Sequence, residues 1–307
     1  MALVSLNKVL SKARERGYAV GAFNFVNMEM LQGILEAAVE AHAPVIIQTT
    51  EGAMEYAGIE YLASLGLTAA RRADVDVVLH VDHGKHLETI LHALRNGYTS
   101  VMIDASDKPY EDNLTMTKEV VRLAHPLGVS VEAELGRLKG IEDNVNVADT
   151  GSTLVDPAEA QAFVKATGVD ALAPAIGTSH GAFKFKGTPR LDFPRLERVA
   201  GLTGIPLVLH GASSVPQDRI AKANTFGANI KGAAGVPDDI IRQAIKKGIC
   251  KVNTDTDLRL SFTASLREEL TAHPENFDVR KILGPTRQAV KAMVLNRIAV
   301  FGSAGMG

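Results

Sequence analysis

Eight short apolar runs recur along this chain, each followed by a helical pattern, and that alternation limits the folds open to it more than any other feature. The runs cover 18–25 (YAVGAFNF), 43–50 (APVIIQTT), 75–82 (VDVVLHVD), 100–106 (SVMIDAS), 129–136 (VSVEAELG), 170–177 (DALAPAIG), 206–213 (PLVLHGAS) and 249–256 (ICKVNTDT). Between them lie helical stretches such as NMEMLQGILEAAVEAH, HLETILHALRNG and PDDIIRQAIKKG, many ending on glycine, a frequent helix stop. Nearly continuous apolar strands joined by helices imply a parallel sheet with both faces covered. Eight such units in 307 residues favour a closed (β/α)8 TIM barrel over a doubly wound sheet. No Gly-x-Gly-x-x-Gly follows the first strand, which removes the main signal for a dinucleotide fold. No linker or low-complexity segment divides the chain. Two helical stretches after Thr256 extend one α/β barrel domain over 1–307.

The charge balance is near neutral, with 33 Lys+Arg against 35 Asp+Glu, so there is no basic excess of the kind that nucleic-acid binding requires. No run of about 18 apolar residues indicates a transmembrane helix. The basic, amphipathic N-terminus admits a transit peptide, but Ser5 followed by Leu6, Val9, Leu10 and Ala13 reads as a capped helix. The single cysteine, Cys250, excludes an intramolecular disulfide and fits a reducing cytoplasm; its apolar surroundings point to a packed thiol.

In a (β/α)8 barrel the reactive end is where the strands finish. Polar residues collect there on all eight predicted strands. The first ends near Asn24, the second at Thr50, the third at Asp82 and His83. The fourth carries Asp104 and the fifth Glu132 and Glu134; the sixth leads to His180. The seventh ends at His210, Gly211 and Ser213, and the eighth at Asn253, Asp255 and Thr256. A lone histidine at a strand end is usually structural. Three of them, His83, His180 and His210, on three strands fit a catalytic metal shell with a position left for substrate. His80 lies inside its strand, His86 opens a helix, and His42, His92, His125 and His273 fall on helices or their ends.

HGASS and NTDT follow strands seven and eight, where barrels often bind phosphate through backbone N–H groups and hydroxyls. Gly211 allows close backbone approach, and Ser213 and Thr256 add hydroxyl donors. Two long connections, 137–156 and 178–194, are further candidates for functional loops.

Taken together, HVDHG, EAELG followed by GIEDN, GTSHGAFK, LVLHGASS and VNTDTDLR resemble the class II, metal-dependent fructose-1,6-bisphosphate aldolases. The resemblance spans nearly the whole chain, and HGASS is similar to the subgroup that also contains tagatose-1,6-bisphosphate aldolases. It implies that His83, His180 and His210 are zinc ligands, and that Asp104 and Glu134 hold a second or alternate metal position. It implies an acid/base role for Asp82 at the C4 hydroxyl, and a proton-moving role at C3 for Glu142 in a mobile loop. Gly181, Gly211, Ser213, Asp255 and Thr256 match a dihydroxyacetone-phosphate site, and Asn253 a substrate-orienting amide. Lys184 falls in a loop associated with a monovalent cation (Na+ or K+) and phosphate. Asn24 and Thr50 match positions near the aldehyde half, and Arg280 one that reaches the other phosphate from a neighbouring subunit of a homodimer or homotetramer. Where some members carry two adjacent glutamates, this chain has Ile141 before Glu142, which leaves Glu142 with only Asp143 as a nearby carboxylate rival.

Aldol cleavage places negative charge on a carbonyl oxygen, which a Schiff-base lysine or a Lewis-acid metal can stabilise. Lys251 precedes the apparent phosphate motif and is a poor Schiff-base candidate, so the histidines favour the metal route. Fructose 1,6-bisphosphate is the first expected substrate. Its C4 epimer tagatose 1,6-bisphosphate stays open, since no motif reads that configuration. A metal-dependent hydrolase is a third reading, since His-rich barrels often activate water; a non-catalytic phosphosugar-binding barrel would be expected to have lost Asp82 or a zinc ligand, and this chain has kept all of them.

Overall fold

The computed structural model describes residues 3–136, 139–142, 145–147, 154–180 and 191–307, with 139–142, 145–147 and 179–180 described as backbone. Eight parallel strands close into a barrel: β1 (Val20–Asn24), β2 (Val45–Thr50), β3 (Val77–Gly84), β4 (Ser100–Ile103), β5 (Ser130–Leu135), β6 (Ala171–Pro174), β7 (Leu207–Leu209) and β8 (Ile249–Thr254). Each strand pairs with the next in sequence, and β8 returns to β1 with Ala22 opposite Asn253. This is the expected (β/α)8 order. Every residue of β1, β2, β5 and β8 is buried, because outward side chains meet helices and inward ones fill the barrel.

Helix boundaries follow from local chemistry. Asp156 caps the helix Pro157–Thr167 by accepting from the N–H groups of Ala158 and Glu159, and Asp192 caps Phe193–Thr203 through Arg195 N. Both helices stop at glycines in the left-handed region, Gly168 (φ 73°) and Gly204 (φ 68°). The first helix, Leu6–Arg16, forms where expected, but the Ser5 side chain makes no capping bond. This helix closes the lower end of the barrel. Leu6, Val9, Leu10 and Ala13 pack with Val20, Ala22, Ile46, Val78, Ala171 and Val208, while Lys8 and Lys12 reach Asp76 at 2.9 and 3.3 Å. Cys250 lies in the same apolar cluster, and burial pushes its thiol pKa up to about 11, as befits an inert packed thiol. The two terminal helices are Thr256–Ala272 and Val279–Phe301, and the second packs along Met28–Glu40.

Three predicted strands end three or four residues early: 170–177 is strand only over Ala171–Pro174, and in the other two the reason bears on function. In 206–213 only Leu207–Leu209 is strand; Gly211 turns to φ 60° and takes the chain out of the sheet. In 100–106 the strand stops at Ile103, and Asp104 turns its carboxylate onto Ser106 N and Oγ at 3.2 and 2.7 Å. The two long connections are also not wholly irregular. Lys139–Glu142 pairs antiparallel with Val145–Val147 and parallel with Ser179–His180, setting Gly140 opposite His180. Pairing therefore joins two connections that are about 40 residues apart in sequence, a tertiary contact of the kind local pattern does not encode. Gly181 and Lys184 lie outside the described residues.

Candidate active site

Four of the predicted site residues meet at the upper mouth of the barrel with Asp82. Ligand atoms of Asp82, His83 and His210 lie within 4.8 Å of one another, as do those of His83, Asp104 and Glu134. The His83 and His210 rings stand edge to face, with centroids 4.6 Å apart. His83 reaches this position with φ 52°, a left-handed conformation that a non-glycine residue adopts at some cost and that is concentrated at functional sites. Glu51 holds the turn just beyond it: its buried carboxylate accepts from Lys85 N (2.9 Å) and His86 N (3.1 Å) and contacts His86 Nδ1 (3.0 Å).

Amides fix the carboxylate of Asp82 on both sides. Asn24 Nδ2 donates to Asp82 Oδ2 at 2.8 Å, and Asn253 Nδ2 donates to Oδ1 at 2.9 Å. Gln48 Nε2 in turn donates to Asn24 Oδ1 at 2.8 Å, which orients that amide. The chain Gln48–Asn24–Asp82–Asn253 thus crosses β2, β1, β3 and β8 and leaves the aspartate little rotational freedom. Gln48 was not among the expected site residues.

Carboxylates flank the two candidate ligand histidines whose side chains are described. His83 Nδ1 is 2.8 Å from Asp104 Oδ2, and His83 Nε2 is 3.9 Å from Asp82 Oδ1. Burial alone would lower the His83 pKa, but the Asp82 charge and the Asp104 bond outweigh it and raise it to about 10. Burial would raise Asp104, yet the His83 and Ser106 contacts hold it well below the usual carboxylate range. His210 Nε2 sits 2.8 Å from Glu132 Oε1, and its Nδ1 is 3.2 Å from Glu134 Oε2. An ionised carboxylate only accepts, so the short Nε2–Glu132 contact places a proton on Nε2, and burial, which would lower the His210 pKa, is outweighed by the Glu132 and Glu134 contacts, which raise it.

Beneath this layer lies a second buried polar one. Lys251 Nζ donates to Glu132 Oε2 at 2.8 Å and to His80 Nε2 at 3.3 Å, and His80 Nδ1 meets Ser100 Oγ at 2.8 Å. Burial and the Lys251 charge push the His80 pKa well below its ordinary value, so the ring is neutral; because Lys251 donates to Nε2, the ring proton is on Nδ1. Burial would raise Glu132, but Lys251 and His210 hold it well below the usual range. With no exposed surface and a salt bridge to Glu132, Lys251 has no route to a substrate carbonyl. Glu132 was legible as a strand-five residue, but its partnership with His210 was not expected. The signal was available: Glu132 and Glu134 are two apart on one strand and so share a face, as do His80 with Asp82 and Lys251 with Asn253.

The remaining expected residues divide. Gly211 and Ser213 follow β7, and Asp255 and Thr256 follow β8; the two loops touch where Asp255 N approaches Ser213 Oγ at 3.4 Å. Asp255 also receives Arg259 through Nε at 2.9 Å and NH2 at 2.7 Å, a fork that sequence pattern did not suggest. Thr50 lies opposite Asp82 in the β2–β3 register, and its hydroxyl caps the helix Glu51–Ala57 by accepting from Ala53 N at 3.1 Å. Arg280 stands apart from the cluster in this chain. Its guanidinium is 88% exposed and pairs with Asp278 at 2.7 Å. Glu142 and His180 are placed by backbone only, on the small three-stranded sheet.

The donor set, imidazoles with carboxylates converging where the strands end, suits a divalent transition metal. No described helix is long and apolar enough to cross a membrane. The family model for class II fructose-bisphosphate aldolase matches residues 4–306. The chain is 51% identical over 303 residues to a fructose-bisphosphate aldolase of Helicobacter pylori, covering 98% of this chain and 99% of that one. It is 52% identical over 303 residues to a fructose-bisphosphate aldolase of Thermus caldophilus, with 99% of each covered. Among solved structures, the YdjI aldolase of Escherichia coli K12 superposes with a TM-score of 0.82 at 34% identity, over 99% of both chains. A closed parallel barrel, a mouth whose side chains could hold a metal ion and whole-length similarity agree, and the chain belongs to the class II fructose-bisphosphate aldolase family.

Proposed function

We propose that this chain is a single-domain, metal-dependent aldolase that reversibly cleaves fructose 1,6-bisphosphate into dihydroxyacetone phosphate and glyceraldehyde 3-phosphate. The observation that carries the reading is the convergence of Asp82, His83 and His210 at the strand ends, in a chain whose relatives at 40–52% identity are named fructose-bisphosphate aldolases. His83, His180 and His210 would hold a catalytic zinc, with Asp104 and Glu134 offering a second or alternate position. A metal bound there supplies Lewis-acid stabilisation of the charge that develops on the substrate C2 oxygen.

The chain's own residues do the rest. In cleavage, Asp82 takes the proton of the C4 hydroxyl. The C3–C4 bond breaks, C4 becomes the aldehyde carbon of glyceraldehyde 3-phosphate, and the electron pair stays with the C2–C3 unit. Glu142 returns a proton to C3 and completes dihydroxyacetone phosphate. Condensation reverses these transfers. The amides of Asn24 and Asn253 keep Asp82 aimed, which counts because a positioned acid or base loses its effect when misdirected. Gly211, Ser213, Asp255 and Thr256, with Gly181, would bind the dihydroxyacetone phosphate half. Lys184 would accompany a monovalent cation. Thr50 would border the aldehyde half, and Arg280 would serve a neighbouring copy in a homodimer or homotetramer; its exposure in this chain supports that placement. A cytoplasmic setting suits the single buried, reduced cysteine.

The test is triose phosphate release from fructose and tagatose 1,6-bisphosphates, each with and without chelator, alongside the bound-metal content. Chelator-sensitive cleavage with kcat/KM higher for the fructose ester is expected. Release of inorganic phosphate in place of trioses would overturn the aldolase assignment in favour of a hydrolase.

A further inference from the structure

The loop after β7 is held in an unfavourable shape by one residue with no part in the chemistry above. Val215 has φ 50°, a region that β-branched residues almost never occupy. In that conformation its side chain is buried against Ile220, Ala233 and Leu260. Asp257, in the first turn of the helix Thr256–Ala272 and fully buried, meets the loop head-on. Its Oδ2 accepts from Ser214 N at 3.0 Å and Ser214 Oγ at 3.1 Å, and its Oδ1 accepts from Val215 N at 2.8 Å. From the other side Gly235 lies flat on the loop. A Cβ there would stand 2.5 Å from the Ser214 carbonyl carbon and 2.7 Å from its oxygen, and the adjacent Val236 N donates to Ser213 O at 3.1 Å. A cavity of about 770 Å³ beside the turn is lined in part by Ser214, Val215, Gly235 and Arg297.

A strained conformation persists only when its surroundings hold it, and three hydrogen bonds to one carboxylate do so here. We propose that Asp257 is a positioning residue: it locks the Ser213–Val215 turn against the start of the β8 helix, so that the loops beyond β7 and β8 form one rigid phosphate cradle. Ser213 is the joint between them, through its contact with Asp255 N. This rests on the reading that the β7 and β8 loops receive the phosphate of the triose. The expected ligand chemistry is therefore a phosphate monoester dianion, bound by N–H and O–H donors whose directions Asp257 sets.

Asp257→Asn keeps the shape and replaces one acceptor oxygen with a donor NH2. In either amide orientation, at least one of the Ser214 and Val215 N–H groups then faces a donor. Gly235→Ala disturbs the same turn from the opposite side and leaves Asp257 intact. The experiment measures kcat and KM for fructose 1,6-bisphosphate, competitive inhibition by inorganic phosphate, bound metal and circular dichroism for both variants against the wild type. KM and the phosphate inhibition constant should rise together by about tenfold, the effect of losing one or two such bonds. Metal content and fold should be unchanged. A folded Asp257→Asn enzyme with both constants within about twofold of wild type overturns the proposal, and so does a fall in kcat alone, which reports lost active fraction. If Asp257→Asn does not fold, Ser214→Ala, which removes the hydroxyl donor to Asp257, decides by the same two constants. Wild-type protein that cleaves no sugar bisphosphate would instead sink the aldolase reading itself, a separate outcome.

Discussion

The two ends of the barrel are built from the same strands and do opposite things. At the lower end the inward residues are Val20, Ala22, Ile46, Val78, Ala171 and Val208, sealed by Leu6, Val9 and Leu10 of the first helix. At the upper end they are Asn24, Asp82, Glu134 and Asn253, with His83, Asp104 and His210 at or just past the strand ends. Between them sits a buried polar layer, Gln48, His80, Glu132 and Lys251, with every member fully buried and hydrogen-bonded. Apolar packing stabilises by removing surface from water, and it tolerates any side chain of the right volume. The polar layers demand particular partners, because an unpaired buried charge costs several kcal/mol. The lower end is therefore a foundation, the upper end a chemical site, and the middle layer serves both.

Substitutions at the three levels should separate these roles. The largest effect is expected at the top. His83→Ala should lose both metal and turnover, while Asp82→Ala should lower kcat by about 10²–10⁴-fold and retain metal and fold. Steady-state kinetics with metal analysis checks both, and near-normal turnover in Asp82→Ala would remove that residue from the mechanism. Glu142→Ala should resemble Asp82→Ala, with metal retained. In the middle layer, Lys251→Met leaves Glu132 buried beside its histidines without its cation and should cost about 3–5 kcal/mol of stability. Pairing it with Glu132→Gln should recover much of that loss in denaturant unfolding. At the bottom, Leu10→Ala should cost about 2–5 kcal/mol and leave kcat unchanged. Should it lower kcat in fully folded protein, the division between foundation and site would be wrong.

The last comparison concerns pH. The metal-free His83 pKa is raised to about 10 from an ordinary value of 6.5. A raised histidine contributes stability that is complete below the unfolded pKa and is lost as pH climbs through the folded one. Metal-free protein should therefore melt at progressively lower temperature from about pH 6.5 to 10 as far as this group is concerned. A metal takes the neutral ring, so its uptake near neutral pH should release a proton, and its apparent affinity should rise with pH. Melting curves in chelator and proton release on metal addition measure the two signs, and a flat profile in both would place His83 outside the charged pair with Asp104.

Much of this was legible along the chain. The eight apolar runs mark all eight barrel strands, because parallel strands buried on both faces must be apolar throughout. Polar residues at the ends of those runs mark the mouth because buried polar groups need partners, and there they find one another. The strand ends themselves were less legible. Asp104 and His210 leave the sheet through an aspartate turn and a positive-φ glycine, features that apolar patterning does not register.

What the sequence determined by itself was the architecture and the identity of the chemical end, since both follow from apolar runs long enough for a strand buried on both faces and from the polar residues that finish them. Partnership was decided by tertiary structure. Glu132 meets His210 from 78 residues away, Lys251 meets His80 from 171, and Asp257 meets Ser214 from 43. A hydrogen bond is fixed by distance and direction in space, and closing the barrel brings into reach strands that the chain visits far apart.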